Sequence, residues 1–219
     1  MARIVQKFGG TSVADVGRIK KVAQRVKCEV ERGNEVAVVV SAMAGATNRL
    51  VGWTRDTSRL HDAREYDVVV SSGEQVTAGL LALALQDHGI DARSWLGWQI
   101  PIRTDGVHGK ARIEGIDVTE IRRRLAQGQV AVIAGFQGIG PRGRITTLGR
   151  GGSDTSASRS RRRSKRSAAI SSPMWTGSTR ATHGSLRKLA SSVELPTRKC
   201  WRWRHRAPRC CKRARSRWL

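Results

Sequence analysis

The sequence predicts an α/β fold, a mainly parallel sheet covered by helices, across residues 1 to 157, and no fold beyond them. Three observations carry this. Short continuous runs of small β-branched residues recur, as strands buried on both faces require. Segments with apolar residues at helical spacing alternate with them. After Ala157 both patterns stop.

Arg3 to Phe8 (RIVQKF) alternates and is rich in β-branched residues, so it reads as a strand, which Gly9-Gly10-Thr11-Ser12 breaks. From Asp15 onward Ile19, Val22, Ala23, Val26 and Val30 fall on one helical face, and Gly33 is a stop. Glu35 to Val40 ends in an unbroken apolar run and reads as a strand with both faces buried. Val68 to Leu85 reads as helix, Asp91 to Trp98 as a strand, Val118 to Leu125 as a short amphipathic helix, and Gln129 to Ala134 as a second buried strand. In the tail, SRSRRRSKRS, WRWRHR and CCKRARSRWL have neither a period of 2 nor of 3.6, so residues 158–219 are expected to add nothing to the core and to be largely disordered.

Charge divides the chain at the same place. The net charge of +24 would ordinarily point to a nucleic-acid partner. Residues 1 to 157, however, carry 22 Lys and Arg against 16 Asp and Glu, whereas the last 62 residues carry 19 against the single Glu194. Nucleic acid is therefore expected to bind only non-specifically, through the basic tail. The N-terminus MARIVQKFGG lacks a signal-peptide pattern, and the longest nearly apolar stretch, Val76 to Leu85, is about half of what a membrane span needs. No membrane is expected, and a cytoplasmic location is the simplest reading. Cys28, Cys200, Cys210 and Cys211 form no CxxC pair, so neither a zinc site nor a disulfide framework is indicated, and no metal ligand set is assigned.

Four stretches carry candidate chemistry. Lys7-Phe8-Gly9-Gly10-Thr11-Ser12 joins a strand to a helix, where two glycines admit close approach, amides at a helix start face an anion, and a lysine adds mobile positive charge. Taken alone, a Gly-Gly turn serves a structural end as readily. Ser41-Ala42-Met43-Ala44-Gly45-Ala46-Thr47-Asn48 follows a buried strand, the place where α/β folds bind ligands, although Thr47 or Asn48 would equally cap the next helix. In Ser71-Ser72-Gly73-Glu74-Gln75 a carboxylate stands amid apolar helix. A lone Glu usually faces solvent, but apolar neighbours favour a buried carboxylate, which needs a cation such as a substrate amino group. In Thr147-Leu148-Gly149-Arg150-Gly151-Gly152-Ser153-Asp154 the Arg150 fork suits a carboxylate, the Gly151, Gly152 and Ser153 amides suit phosphate oxygens, and Asp154 suits proton handling; a helix-capping loop is the alternative. Gly135-Phe136-Gln137-Gly138 is a further small-residue loop after a strand. His61, His88 and His108 show no partner pattern and read as surface residues.

Together, in this order and spacing, KFGGTSV, VVVSAMAGATN, SSGEQV, HGKARI, GFQG and TTLGRGGSDTSA resemble the signature stretches of the aspartokinases, in the amino-acid kinase superfamily. The resemblance covers residues 1 to 157 and implies an incomplete amino-acid kinase domain. It implies ATP and Mg²⁺ as cofactors and L-aspartate as the substrate, phosphorylated on its side-chain carboxylate, the first step toward lysine, threonine, methionine and diaminopimelate. By resemblance Lys7, Phe8, Gly9, Gly10 and Ser41 would hold ATP. Thr47, Glu74, Arg150, Gly151, Gly152, Ser153 and Asp154 would hold aspartate, with Lys7 and Asp154 catalytic. A homo-oligomer is compatible with the resemblance.

The family continues past SDTSA with an alanine-rich helix, a stretch of the type TDVDGVYTTDPR and two ACT domains, none of which is visible here. Residues 158–219 instead resemble that continuation read one base out of frame. Met174-Trp175 forces valine and Trp175-Thr176 forces aspartate in the shifted frame, so MWTGST hides VDGVY. Trp201 and Cys211 force leucine, and the arginines of SRSRRRSKR become alanines. A one-base deletion near codons 156 to 159 accounts for this, and little kinase activity is then expected of the chain as it stands. The alternatives are an Arg/Trp-rich nucleic-acid-binding tail, with WRWRHR stacking on bases, and an inert fragment.

Overall fold

A computed structural model describes residues 2–149 in full and residues 167–171 as backbone. The strands that the residue pattern predicts are present. β1 (Arg3–Phe8), β2 (Glu35–Val40), β3 (Ala92–Trp95) and β6 (Val130–Ala134) lie in one sheet, in the order β3-β6-β2-β1, all neighbours parallel. Side chains alternate between two apolar clusters. Val36, Val38 and Val40 of β2 and Val130 and Val132 of β6 face one cluster, while Ala37, Val39, Ala131 and Ile133 face the other. Burial on both sides explains why these strands read as unbroken apolar runs.

The first cluster is closed by α1 (Val16–Glu31) and α3 (Ala63–Gln86). In α1 the inward residues are Ile19, Val22, Ala23 and Val26, at the spacing seen in the sequence. Asp15 caps this helix by accepting the Arg18 amide at 2.8 Å. The second cluster is closed by α4 (Thr119–Ala126), through Ile121 and Leu125, by Ile102 and Ile113 from a second sheet, and by Leu148 just beyond it.

That second sheet is small and mixed, and the apolar pattern does not reveal it. Its strands are β4 (Ile102–Thr104), β5 (Ile113–Ile116), β7 (Gln137–Ile139) and β8 (Ile145–Thr147), in the order β5-β4-β7-β8. Each has three or four residues, too few to show a period of two, and glycines interrupt β5 and β7.

Two further differences concern helices. A helix α2 (Ala46–Thr57) begins at Gly45, which takes a left-handed φ of 76° and offers no side-chain cap, so Thr47 and Asn48 lie in its first turn and cap nothing. Helix α3 starts earlier than the apolar run suggests, at an Asp62 cap, and its 24 residues are long and apolar enough to cross a membrane. Its inner side nevertheless packs on α1, β2, β3, β6 and β8, and half of its most apolar stretch is buried within the protein, as in a core helix.

The tail also departs from expectation at one place. Ser167–Ser171 forms β9, pairing parallel with β1 over Arg3 to Lys7. SAAIS is an uncharged interval in a basic segment, and β1 would otherwise present an unpaired edge. The predicted disorder of the rest of residues 158–219 lies outside the described residues.

Candidate functional site

The carboxyl ends of β1, β2 and β6 stop in register, with Phe8 beside Val40 and Val40 beside Ala134. Ser41 donates its amide to the Phe8 carbonyl at 3.1 Å, and Gly135 donates to the Val40 carbonyl at 3.0 Å. Three loops therefore leave the sheet side by side, at the edge where α/β folds bind ligands.

The first two loops touch. A Cβ on Gly10 would stand 2.9 Å from the carbonyl oxygen of Ala42, so only glycine lets the backbones approach this closely. The Lys7 ammonium lies 4.0 Å from where a Cβ on Gly9 would be, placing its charge over the glycine turn. That turn is not itself a helix start: α1 begins at Val16, and the Arg18 guanidinium holds the Thr11 carbonyl at 2.5 Å. The expected row of helix amides at the glycines is thus replaced by a turn closed from Ser12 to Gly9 at 2.9 Å. Phe8 has its side chain in the core, 2 % exposed, so of the residues assigned to ATP it contributes packing while Lys7, Gly9, Gly10 and Ser41 line the loops.

Glu74 joins this edge from α3. Gly73 permits it, since a Cβ there would meet the Ala42 Cβ at 3.1 Å and Leu50 Cδ1 at 3.2 Å. Glu74 is 4 % exposed, and its Oε1 accepts the Ala42 amide at 3.1 Å. Its Oε2 has no partner among the described residues. Burial pushes the Glu74 carboxyl up to about 7, against the smaller opposing effect of the Ala42 amide. A half-satisfied buried carboxylate is costly unless a cation completes it. Thr47 lies half-buried in the first turn of α2, at the end of the same loop.

Residues 150–154, which hold the remaining assigned groups Arg150, Gly151, Gly152, Ser153 and Asp154, lie outside the described residues. Their approach is defined. Leu148 donates to the Phe136 carbonyl at 2.9 Å and bridges Ala111, and Phe136 takes a φ of 61°, rare for a bulky residue.

Several organising residues have contacts that the sequence does not reveal, although Gln137 lies in GFQG and His108 in HGKARI. Gln137 is buried beneath the edge, its Oε1 3.4 Å from both the Gln75 side-chain nitrogen and the Gly97 amide. His108 is not a partnerless surface residue: its Nδ1 lies 2.7 Å from Asp67, which is fully buried in α3. His61 is exposed and stacks on Tyr66 at 5.2 Å between ring centres.

Tested against these groups, the first loops fit phosphates: a glycine turn without Cβ atoms and an ammonium beside it. No cluster of three or more His, Cys, Asp or Glu that could hold a metal occurs among the described residues.

Residues 2–159 match the model of the amino acid kinase family. An aspartokinase of Pseudomonas aeruginosa is 57 % identical over 155 residues, covering 71 % of this chain and 38 % of that protein. One from Rickettsia bellii is 54 % identical over 160 residues, 72 % of this chain and 39 % of the relative. The chain thus spans about two fifths of the length of these relatives. Among solved structures, the aspartate kinase from Synechocystis superposes with a TM-score of 0.65 at 44 % identity, over 77 % of this chain and 28 % of that one. Aspartokinase III of E. coli in complex with aspartate and ADP gives 0.61 at 25 %, over 77 % and 48 %.

Proposed function

The chain belongs to the amino acid kinase family, and from that premise we propose that residues 1 to 157 are the phosphate- and aspartate-binding front of an aspartokinase. The observation that carries this reading is the buried Glu74 carboxylate, satisfied on one oxygen only among the described residues, at an edge shared with Lys7 and the Gly9-Gly10 turn. An α-amino acid offers an ammonium, which Glu74 lacks among the described residues. E. coli aspartokinase III, a structural neighbour, has been solved in complex with aspartate and ADP.

Bound ATP with its magnesium would supply the transferable phosphoryl group and offset its charge. Lys7 would neutralise charge on the phosphate oxygens, and the Gly9-Gly10 turn would let the backbone approach them. Ser41 and Thr47 would line the adjoining loop. Glu74 would hold the amino group of L-aspartate while Arg150 holds a carboxylate through its planar fork. Asp154, with Gly151, Gly152 and Ser153, would orient Lys7 and the reacting groups. The acceptor carboxylate is already a nucleophile, so positioning and charge neutralisation suffice without a general base.

Residues 158–219 are read as the family's continuation shifted by one base, with little turnover expected of the present chain. Resequencing across codons 155 to 160 decides the frame. A confirmed frame together with an early stop in the restored frame removes the frameshift. A genuine nucleic-acid tail would then need single-stranded DNA affinity that depends on Trp201 and Trp203, which scrambling the tail should abolish.

Titrating the full chain with L-aspartate tests the site. Ionised Glu74 is the form that binds an ammonium, so affinity should rise about tenfold per unit as pH rises from about 5.5 toward 7 and level off above. Glu74→Gln should weaken binding and flatten this profile. A pH-independent affinity, or one unchanged by Glu74→Gln, overturns the assignment.

A further inference from the structure

We propose that Asp67 is a positioning residue: it ties the end of β8, and with it the backbone leading into LGRGGSDTSA, to the same helix that carries Glu74. The proposal rests on the reading of Glu74 as an aspartate ligand.

Asp67 is 0 % exposed, and a carboxylate in that position must be fully supplied with donors. Three come from two separate segments. Thr147 at the end of β8 donates its hydroxyl to Oδ1 at 2.5 Å. The Gly109 amide lies 3.2 Å from both oxygens, and His108 Nδ1 lies 2.7 Å from Oδ2. With the carboxylate ionised, His108 donates through the hydrogen on Nδ1.

These contacts link elements distant in sequence. Ala111, just beyond Gly109, donates to the Thr147 carbonyl at 3.0 Å, so loop and strand are fastened to each other as well as to Asp67. Leu148 is held in turn by Phe136, in the link between β6 and β7. Asp67 and Glu74 are seven residues apart on α3, two turns along one buried face. One helix therefore holds a carboxylate at the strand-end loops and, about 10 Å away along its axis, fixes the strand that delivers the next motif.

An apolar residue at this place would serve stability as well or better, since burying a carboxylate carries a desolvation cost. What an apolar residue cannot do is fix the angle at which Thr147 and Gly109 leave the core. Directional hydrogen bonds do that.

Amide hydrogen exchange and L-aspartate titration on the full 219-residue chain separate this role from general stabilisation. Thr147→Val removes one donor at constant shape, and Asp67→Asn sets an N–H against the donor groups. Val132→Ala serves as the control, lowering stability through the parallel sheet alone. At equal global stability, both hub variants should speed exchange at Gly109, Ala111 and Leu148 about tenfold more than Val132→Ala does, and should weaken aspartate binding about fivefold. Exchange at those amides no faster than in Val132→Ala overturns the proposal. Faster exchange with aspartate affinity equal to the unsubstituted chain also overturns it, by showing a structural role only. If the unsubstituted chain binds no aspartate, the proposed function falls, and the exchange comparison alone then decides whether Asp67 fixes β8.

Discussion

The two sheets do different work and are legible to different degrees. The parallel sheet is built around β2 and β6, apolar strands buried on both faces, and the ends of β1 and β2 present the loops that carry Lys7, Gly9, Gly10 and Ser41. The mixed sheet is built of short strands and buried polar contacts, among them Asp67 to Thr147 and Thr104 to Thr146. The first sheet presents chemistry, and the second holds a segment in place. Stability should therefore respond to volume in one and to hydrogen-bond completeness and backbone fit in the other.

The sharpest break of this contrast comes from Gly138 in β7. An added Cβ would stand 2.5 Å from Thr104 Cγ2 and 2.7 Å from the Ile102 carbonyl oxygen, and backbone cannot step aside. Gly138→Ala should cost about 3 kcal/mol in denaturant unfolding, the upper range for overpacking. Gly115→Ala, in the same sheet with nothing within 4 Å of the new carbon, should cost almost nothing. Equal costs would mean that close strand approach does not define the mixed sheet.

Glu74 gives an effect of similar size with the opposite sign, and it depends on pH. Its carboxyl titrates near 7 in the folded chain against an ordinary 4.5. Between those values the folded state binds a proton that the unfolded state has released, so stability falls as pH rises from 4.5 to 7 and stays lowered above. A shift of this size corresponds to about 3 kcal/mol above pH 7. Glu74→Gln, which keeps an acceptor for the Ala42 amide, should stabilise the chain by up to about that amount near pH ~8 and change little near pH ~4. Melting curves at the two pH values check this. A Gln variant destabilised at the higher pH would place Glu74 in an ion pair instead of an unsatisfied burial.

At the touching loops a smaller loss is expected. Gly10→Ala pushes a methyl against the Ala42 carbonyl, and the loop shift that relieves it should cost about 1 kcal/mol of stability. The same shift should weaken nucleotide binding more than it weakens folding, since it moves both loops of the edge. Unchanged ATP affinity, read by fluorescence titration, would separate the two loops from the phosphate site.

The contrast also accounts for what the sequence discloses. β2, β6 and α1 are visible because both their faces or one whole stripe are apolar over five residues or more, enough for a period to show, and β1 is visible by its β-branched residues ahead of a glycine break. The apolar neighbours of Glu74 signal a buried charge. Asp67 sends the same kind of signal, lying beside Val68, Val69 and Val70, but its partners are more than forty residues away in loops without a period. His108 reads as solitary for that reason. Contacts of this range become visible only once the chain has folded, because single-sequence patterns report local neighbours.

The least disruptive test sharpens the same point. Thr104 on β4 and Thr146 on β8 are both fully buried, and their hydroxyls face each other at 2.8 Å across the intervening β7. Each hydroxyl is the other's side-chain partner, so Thr104→Val leaves Thr146 with an unsatisfied buried group and should cost about 1 to 2 kcal/mol. Thr146→Val should cost about the same for the same reason. Removing both replaces a polar pair by an apolar pair of equal shape, which is close to neutral when nothing else depends on it. The double variant should then recover most of both losses, giving a coupling energy of about 1 kcal/mol or more in the cycle, well above the additive expectation for separate sites. Two single losses that simply add would show that these hydroxyls hold β4 and β8 through other partners. The mixed sheet would then owe its arrangement to packing, as the parallel sheet does, and the distinction between a sheet that presents and a sheet that holds would lose its physical basis.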